Sequence, residues 1–124
     1  MWLITPIGFF SIVRKPHDDV QGTLTIRARV ISDLDALRAH YLPELGKVSA
    51  SRHSDYRFRA SAPRNAVMHA MAMLVEGIDY DNFKNEVARQ QGSERAHLYH
   101  DVWSDLYKLQ CDPVYEGHLQ GAVA

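Results

Sequence analysis

The order of apolar and polar positions along the chain predicts strands first and helices later. Residues 2–13, WLITPIGFFSIV, are almost all apolar, and Pro6 and Gly8 divide them into a short extended piece over 2–4 and a strand over 8–14. Phe9, Phe10, Ile12 and Val13 put apolar side chains on both faces of that strand, as an interior sheet position requires. The run 15–22, KPHDDVQG, is polar, carries Pro and Gly, and reads as a loop. Over 23–30, Leu24, Ile26, Ala28 and Val30 alternate with Thr23, Thr25, Arg27 and Arg29, which predicts an antiparallel strand with one buried face.

Ser32 reads as the cap of a helix with Asp33 and Asp35 in its first turn. Leu34, Leu37 and Tyr41 supply its stripe, and Pro43 ends it. Residues 46–62 read as a hairpin turning near 52–54, in which Tyr56, Phe58 and Ala60 alternate with Arg57, Arg59 and Ser61. Pro63 opens a second helix over 64–76, with Val67, Ala70, Met71 and Leu74 as its stripe, and Gly77 closes it. Ile78, Asp79 and Phe83 fit a hydrophobic staple around an Asp cap, starting a helix that runs to Gln91.

Gly92 stops that helix and Ser93 caps a last one over 94–110. Ala96, Leu98, Tyr99, Val102, Trp103, Leu106, Tyr107 and Leu109 cover about half its circumference, an arc wide enough to pack on two surfaces. The expectation is an α+β fold. An antiparallel sheet of about four strands, in ββαββα order, carries helices mainly on one face and a C-terminal helical hairpin. A ferredoxin-like βαββαβ order is the nearest alternative. Residues 1–110 read as a single domain and 111–124, where the periodicity vanishes, as a mobile tail.

Composition narrows the class. The 124 residues are 46% hydrophobic and 23% charged, which fits one globular domain and excludes a disordered, collagen-like or disulfide-rich chain. Cys111 is the lone cysteine, so no intrachain disulfide forms and a cytoplasmic setting is expected. The apolar run of 12 residues is shorter than the roughly 20 that a membrane helix needs. Arg14 and Lys15 follow it, whereas a signal peptide places its charge before. The net charge of −1 hides a cancellation, because residues 1–64 carry net +4 and residues 65–124 net −5.

That polarity directs attention to Arg27, Arg29, Arg57 and Arg59, all on the polar faces of their strands. Adjacent strands would make them one patch for a phosphate ligand or a nucleic-acid backbone, since guanidinium is a planar bidentate fork. The competing account is that long arginines merely solvate a sheet face. Alternation puts Tyr56 and Phe58 on the opposite face, which argues against base stacking.

Other chemistry has less behind it. Glu94, His97 and Asp101 share one side of the last helix, but no HExxH or CxxC spacing supports a metal, and no metal or cofactor is expected. His17, Asp18 and Asp19 read as a wet loop, and His69 as surface or rim. His53 and Asp55 have acid–base chemistry but sit too close in sequence to converge on one atom, and Cys111 has no evident base. No GxSxG or GxGxxG occurs, so no catalytic residue is assigned.

The segments WLITPIGFFSIVRKP, LTIRARV, YRFRASAP and IDYDNFKNEVARQQGSERAHLYHDVW resemble short bacterial proteins of unknown function. The resemblance covers residues 2–110; it implies a bacterial cytosolic protein and carries no activity. The favoured expectation is a small non-enzymatic binding module acting through protein contacts or self-association. The Trp103 and Tyr107 side of the last helix is its interface. The alternative is nucleic-acid or phosphate binding through Arg27, Arg29, Arg57 and Arg59. A third class is a metal-assisted or acid–base enzyme using His97 and Asp101, or His53 and Asp55. No membrane partner is expected.

Overall fold

Thr5, Pro6, Ile7 and Gly8 make the first reversal of the chain. The Thr5 hydroxyl accepts from the Ile7 and Gly8 N–H groups at 3.2 and 3.1 Å and donates to the Gly8 carbonyl at 2.9 Å. The turn pairs strand β1 (Trp2–Thr5) with β2 (Gly8–Val13), so the short extended piece is a full edge strand. The computed structural model describes residues 1–115, which fall in two compact units divided between Asp81 and Asn82.

The first unit is α+β. Its antiparallel sheet has five strands in the order β1-β2-β3-β5-β4, with β3 over Thr23–Ala28, β4 over Ser49–Ala50 and β5 over Phe58–Pro63. Ile12, Ile26 and Ala60 lie directly across from one another on β2, β3 and β5, so their side chains share one face. Helices α2 (Ile31–His40) and α3 (Arg64–Glu76) cover that face with Leu34, Leu37, Val67 and Ala70. Phe10, Ile26, Leu34, Leu37 and Leu42 are completely buried there, each side chain contributing about 1.5–3 kcal/mol by leaving water.

Gly8 is needed where α2 meets this sheet. A Cβ at that position would lie 2.6 Å from the Asp33 Cγ, and the Asp33 carboxylate accepts the Phe9 N–H at 3.0 Å. Asp33 therefore joins the first turn of α2 to β2. Ser32 lies inside that turn rather than capping it, because the helix already begins at Ile31.

Residues 15–22 form a helix where a loop was expected. Helix α1 spans Pro16–Gln21 and sits on the face of the sheet opposite α2 and α3. Its determinants are local: Pro16 has its φ preset for the first turn, and the Asp18 carboxylate reaches back to the Lys15 N–H at 2.7 Å. Gly22, at φ +67°, closes the helix in the left-handed region. The hairpin 46–62 is also more irregular than expected, since β4 has two residues and the reversal occupies 51–57.

The second unit is a helical hairpin of α4 (Phe83–Gln91) and α5 (Ser93–Cys111). Val87, Ala96 and Tyr99 are buried, and Phe83 stacks on Tyr99 with centroids 6.2 Å apart. The expected Asp79 cap is replaced by Asn82, whose side chain accepts the Asn85 N–H at 2.9 Å. Gly92, at φ +97°, occupies the N-cap of α5, so Ser93 is already helical. Of the expected tail, Cys111 ends α5 and Pro113–Tyr115 form one 3-10 turn; residues 116–124 lie outside the described residues. No helix among the described residues is long and apolar enough to cross a membrane.

Candidate functional site

Register determines what the second face of the sheet displays. Trp2, Ser11, Arg27, Arg59 and Ser49 are successive cross-strand partners over all five strands, and so form one row on one face. Phe9, Thr25 and Ser61 share that face by alternation. Helix α1 covers one end of it and leaves the arginine end open.

At the covered end, Asp18 is fully buried. Its carboxylate accepts from the Thr23 hydroxyl at 2.5 Å, the Thr25 hydroxyl at 2.8 Å and the Lys15 N–H, with His17 Nε2 at 3.3 Å. Burial pushes the carboxyl up, but the hydrogen bonds from Thr23, Lys15 and Thr25 and the charge of His17 outweigh it and hold it below the ordinary value. His17 Nε2 also lies 3.4 Å from the Ser61 hydroxyl and 3.3 Å from that of Thr25. These residues serve to attach α1 to the sheet.

The open end is built around Tyr56, which stands on the arginine face. This corrects the expected alternation: β5 begins at Phe58, so Tyr56 precedes the strand and its ring folds back over β3. The Cζ atoms of Arg27 and Arg29 each lie 4.5 Å from the ring centroid, near enough for cation–π attraction. Phe9 lies 6.3 Å from Tyr56, and Trp2 meets Phe9 edge-on at 5.7 Å. Tyr56 is only 3% exposed, whereas Trp2 is 69% exposed.

The arginines are held by neutral groups. Arg27 donates to the Ser11 hydroxyl at 2.7 Å, Arg29 to the Asp55 carbonyl at 2.9 Å and Arg59 to the Tyr56 carbonyl at 3.4 Å. Arg57 is exposed, and its guanidinium lies 5.4 Å from the Phe58 ring rather than over Tyr56. Among the described residues none of the four pairs with a carboxylate, although Arg14, Arg38 and Arg89 pair with Asp19, Asp35 and Glu86. Arg27 and Arg59 face each other across the β3–β5 ladder, an arrangement that costs stability unless a counter-anion screens it. The Arg27 Nε and the Tyr56 hydroxyl are buried without a hydrogen-bond partner among the described residues.

Other candidates stay dispersed. Trp103 and Tyr107 are 58% and 45% exposed on α5, in a stack with His100 whose successive centroids are 5.4 and 5.2 Å apart. Glu94, His97 and Asp101 border a hollow lined by α5 alone, and no group of three or more His, Cys, Asp or Glu able to hold a metal occurs among the described residues. The Asp55 carboxylate accepts the Tyr56 N–H at 3.0 Å, while His53, His69 and Cys111 are exposed. An apolar hollow of about 300 Å³ lies between β1 and α3, lined by Leu3, Ile4, Pro6, Met71 and Leu74 among others. Sequence periodicity carries no sign of it, because its walls come from distant segments.

Comparison with known proteins gives no matching family model, no similar curated protein and no similar solved structure.

Proposed function

We propose that this protein is a nucleic-acid-binding module that holds backbone phosphates on the open end of its sheet. The observation carrying this reading is the set Arg27, Arg29, Arg57 and Arg59, which have no carboxylate partner among the described residues; two of them are direct cross-strand neighbours. Such an arrangement is unfavourable in isolation and is relieved by an anion. Hydrogen bonds from Arg27, Arg29 and Arg59 to neutral acceptors orient the guanidinium groups without neutralising them. Protein contact through Trp103 and Tyr107 rests on exposure alone, and exposure does not name an occupant. The arginine face specifies the charge of its ligand.

The test is binding of a labelled oligonucleotide across a salt series. Affinity should fall as salt rises, and Arg29→Ala with Arg57→Ala should weaken it and flatten the logarithmic salt slope by about 1 per arginine removed. Both side chains are exposed, so the fold should survive. Unchanged affinity and slope in the double variant would overturn the reading.

A further inference from the structure

The aromatic groups beside the arginines bear on which form of nucleic acid binds, and this step rests on the phosphate-binding reading above. We infer that the ligand is a single strand whose bases stack on Trp2 and Phe9 while its phosphates meet the arginines. Trp2 stands in the same cross-strand row as Arg27 and Arg59, with Ser11 between, and Ser11 accepts the hydrogen bond that holds Arg27. Cationic and aromatic groups thus share one row. Trp2 is 69% exposed on edge strand β1, so its ring is accessible, and Phe9 is partly exposed behind it.

Tyr56 has a different role. Its ring is buried beneath Arg27 and Arg29, so it offers no face to a base. It positions the two guanidinium groups, whose planes can themselves stack on bases. The line Trp2–Phe9–Tyr56 keeps centroid steps of 5.7 and 6.3 Å, carrying the aromatic edge directly into the guanidinium cluster.

A duplex fits this face poorly. Its bases are already stacked on one another, and reading them requires an element that enters a groove. The helix on this face, α1, is packed down by its buried Asp18. Splayed bases of a single strand are the form that aromatic platforms capture, and an unpaired strand supplies the phosphates as well.

The experiment uses the full chain carrying Trp103→Phe, which leaves Trp2 as the sole tryptophan of the two. Its emission is followed during titration with single-stranded RNA, single-stranded DNA, a duplex of equal phosphate count and inorganic polyphosphate. We expect either single strand to quench Trp2 saturably. The duplex and polyphosphate should bind at least tenfold more weakly, and Trp2→Ala should cost the single strand about tenfold in affinity by fluorescence anisotropy. Comparison of the RNA and DNA arms shows which sugar is preferred. Equal binding of all four with unchanged Trp2 emission would overturn the stacking inference and leave phosphate binding standing. Absence of binding to any of them would overturn both.

Discussion

Replacing Asp18 by Ala tests the reading of α1 as a helix clamped to the sheet by one buried carboxylate. The substitution removes the acceptor for the Thr23 and Thr25 hydroxyls at 2.5 and 2.8 Å and for the Lys15 N–H at 2.7 Å. Hydrogen bonds to a charged group contribute about 1.5–3 kcal/mol each, and a buried group left unpaired costs about 1–3 kcal/mol. The three share one acceptor and do not add, and the Thr23 hydroxyl can regain water, so the expected loss is about 3 kcal/mol. At a urea m-value of about 1–3 kcal/mol/M, that loss lowers the unfolding midpoint by roughly 1–3 M. Urea unfolding followed by circular dichroism measures it, and a loss under about 0.5 kcal/mol, the scale of a neutral surface change, would refute the clamp.

The same carboxylate has a pH signature with a definite sign. Its folded pKa lies below the ordinary aspartate value, so its contribution is fully present above that value and is lost as pH falls through the lower folded one. The stability gap between the parent and Asp18→Asn should therefore narrow below about pH 4. A gap that widens on acidification would contradict the assignment.

Two further substitutions probe the packing. Gly8→Ala should destabilise by about 2 kcal/mol, because the added Cβ would meet the Asp33 Cγ at 2.6 Å; a thermal midpoint equal to the parent's would show that Asp33 moves aside freely. Tyr56→Phe should be neutral or slightly stabilising, since it removes a buried hydroxyl without a partner among the described residues and keeps the ring under Arg27 and Arg29. Tyr56→Leu should destabilise and also weaken oligonucleotide binding, and calorimetry with a binding titration would show whether the two losses occur together.

Much of the fold was legible because its signals are periodic. The alternation from Thr23 to Ala28 marks β3, and Pro63 and Gly77 bracket α3 at its observed ends. The helix within residues 15–22 is not legible in the sequence because Pro, Asp and Gly serve both turns and helix ends, and nothing local shows that Asp18 will be covered by the Thr25 it bonds. The face taken by Tyr56 is hidden for a related reason. Alternation assigns a face only within a strand, and β5 begins two residues later. The four arginines were visible in sequence. That Arg27 and Arg59 face each other depends on β3 pairing with β5 rather than with β4, a long-range choice that alternation does not encode.

The most direct test of the account follows the side-chain N–H signals of the arginines by NMR while a short single-stranded oligonucleotide is added at low salt. Arg27, Arg29, Arg57 and Arg59 should shift and saturate together. Arg14, Arg38 and Arg89, which already pair with carboxylates, should stay in place. Shifts confined to the paired arginines, or spread evenly over all ten arginines, would contradict the claim that this face is the binding surface.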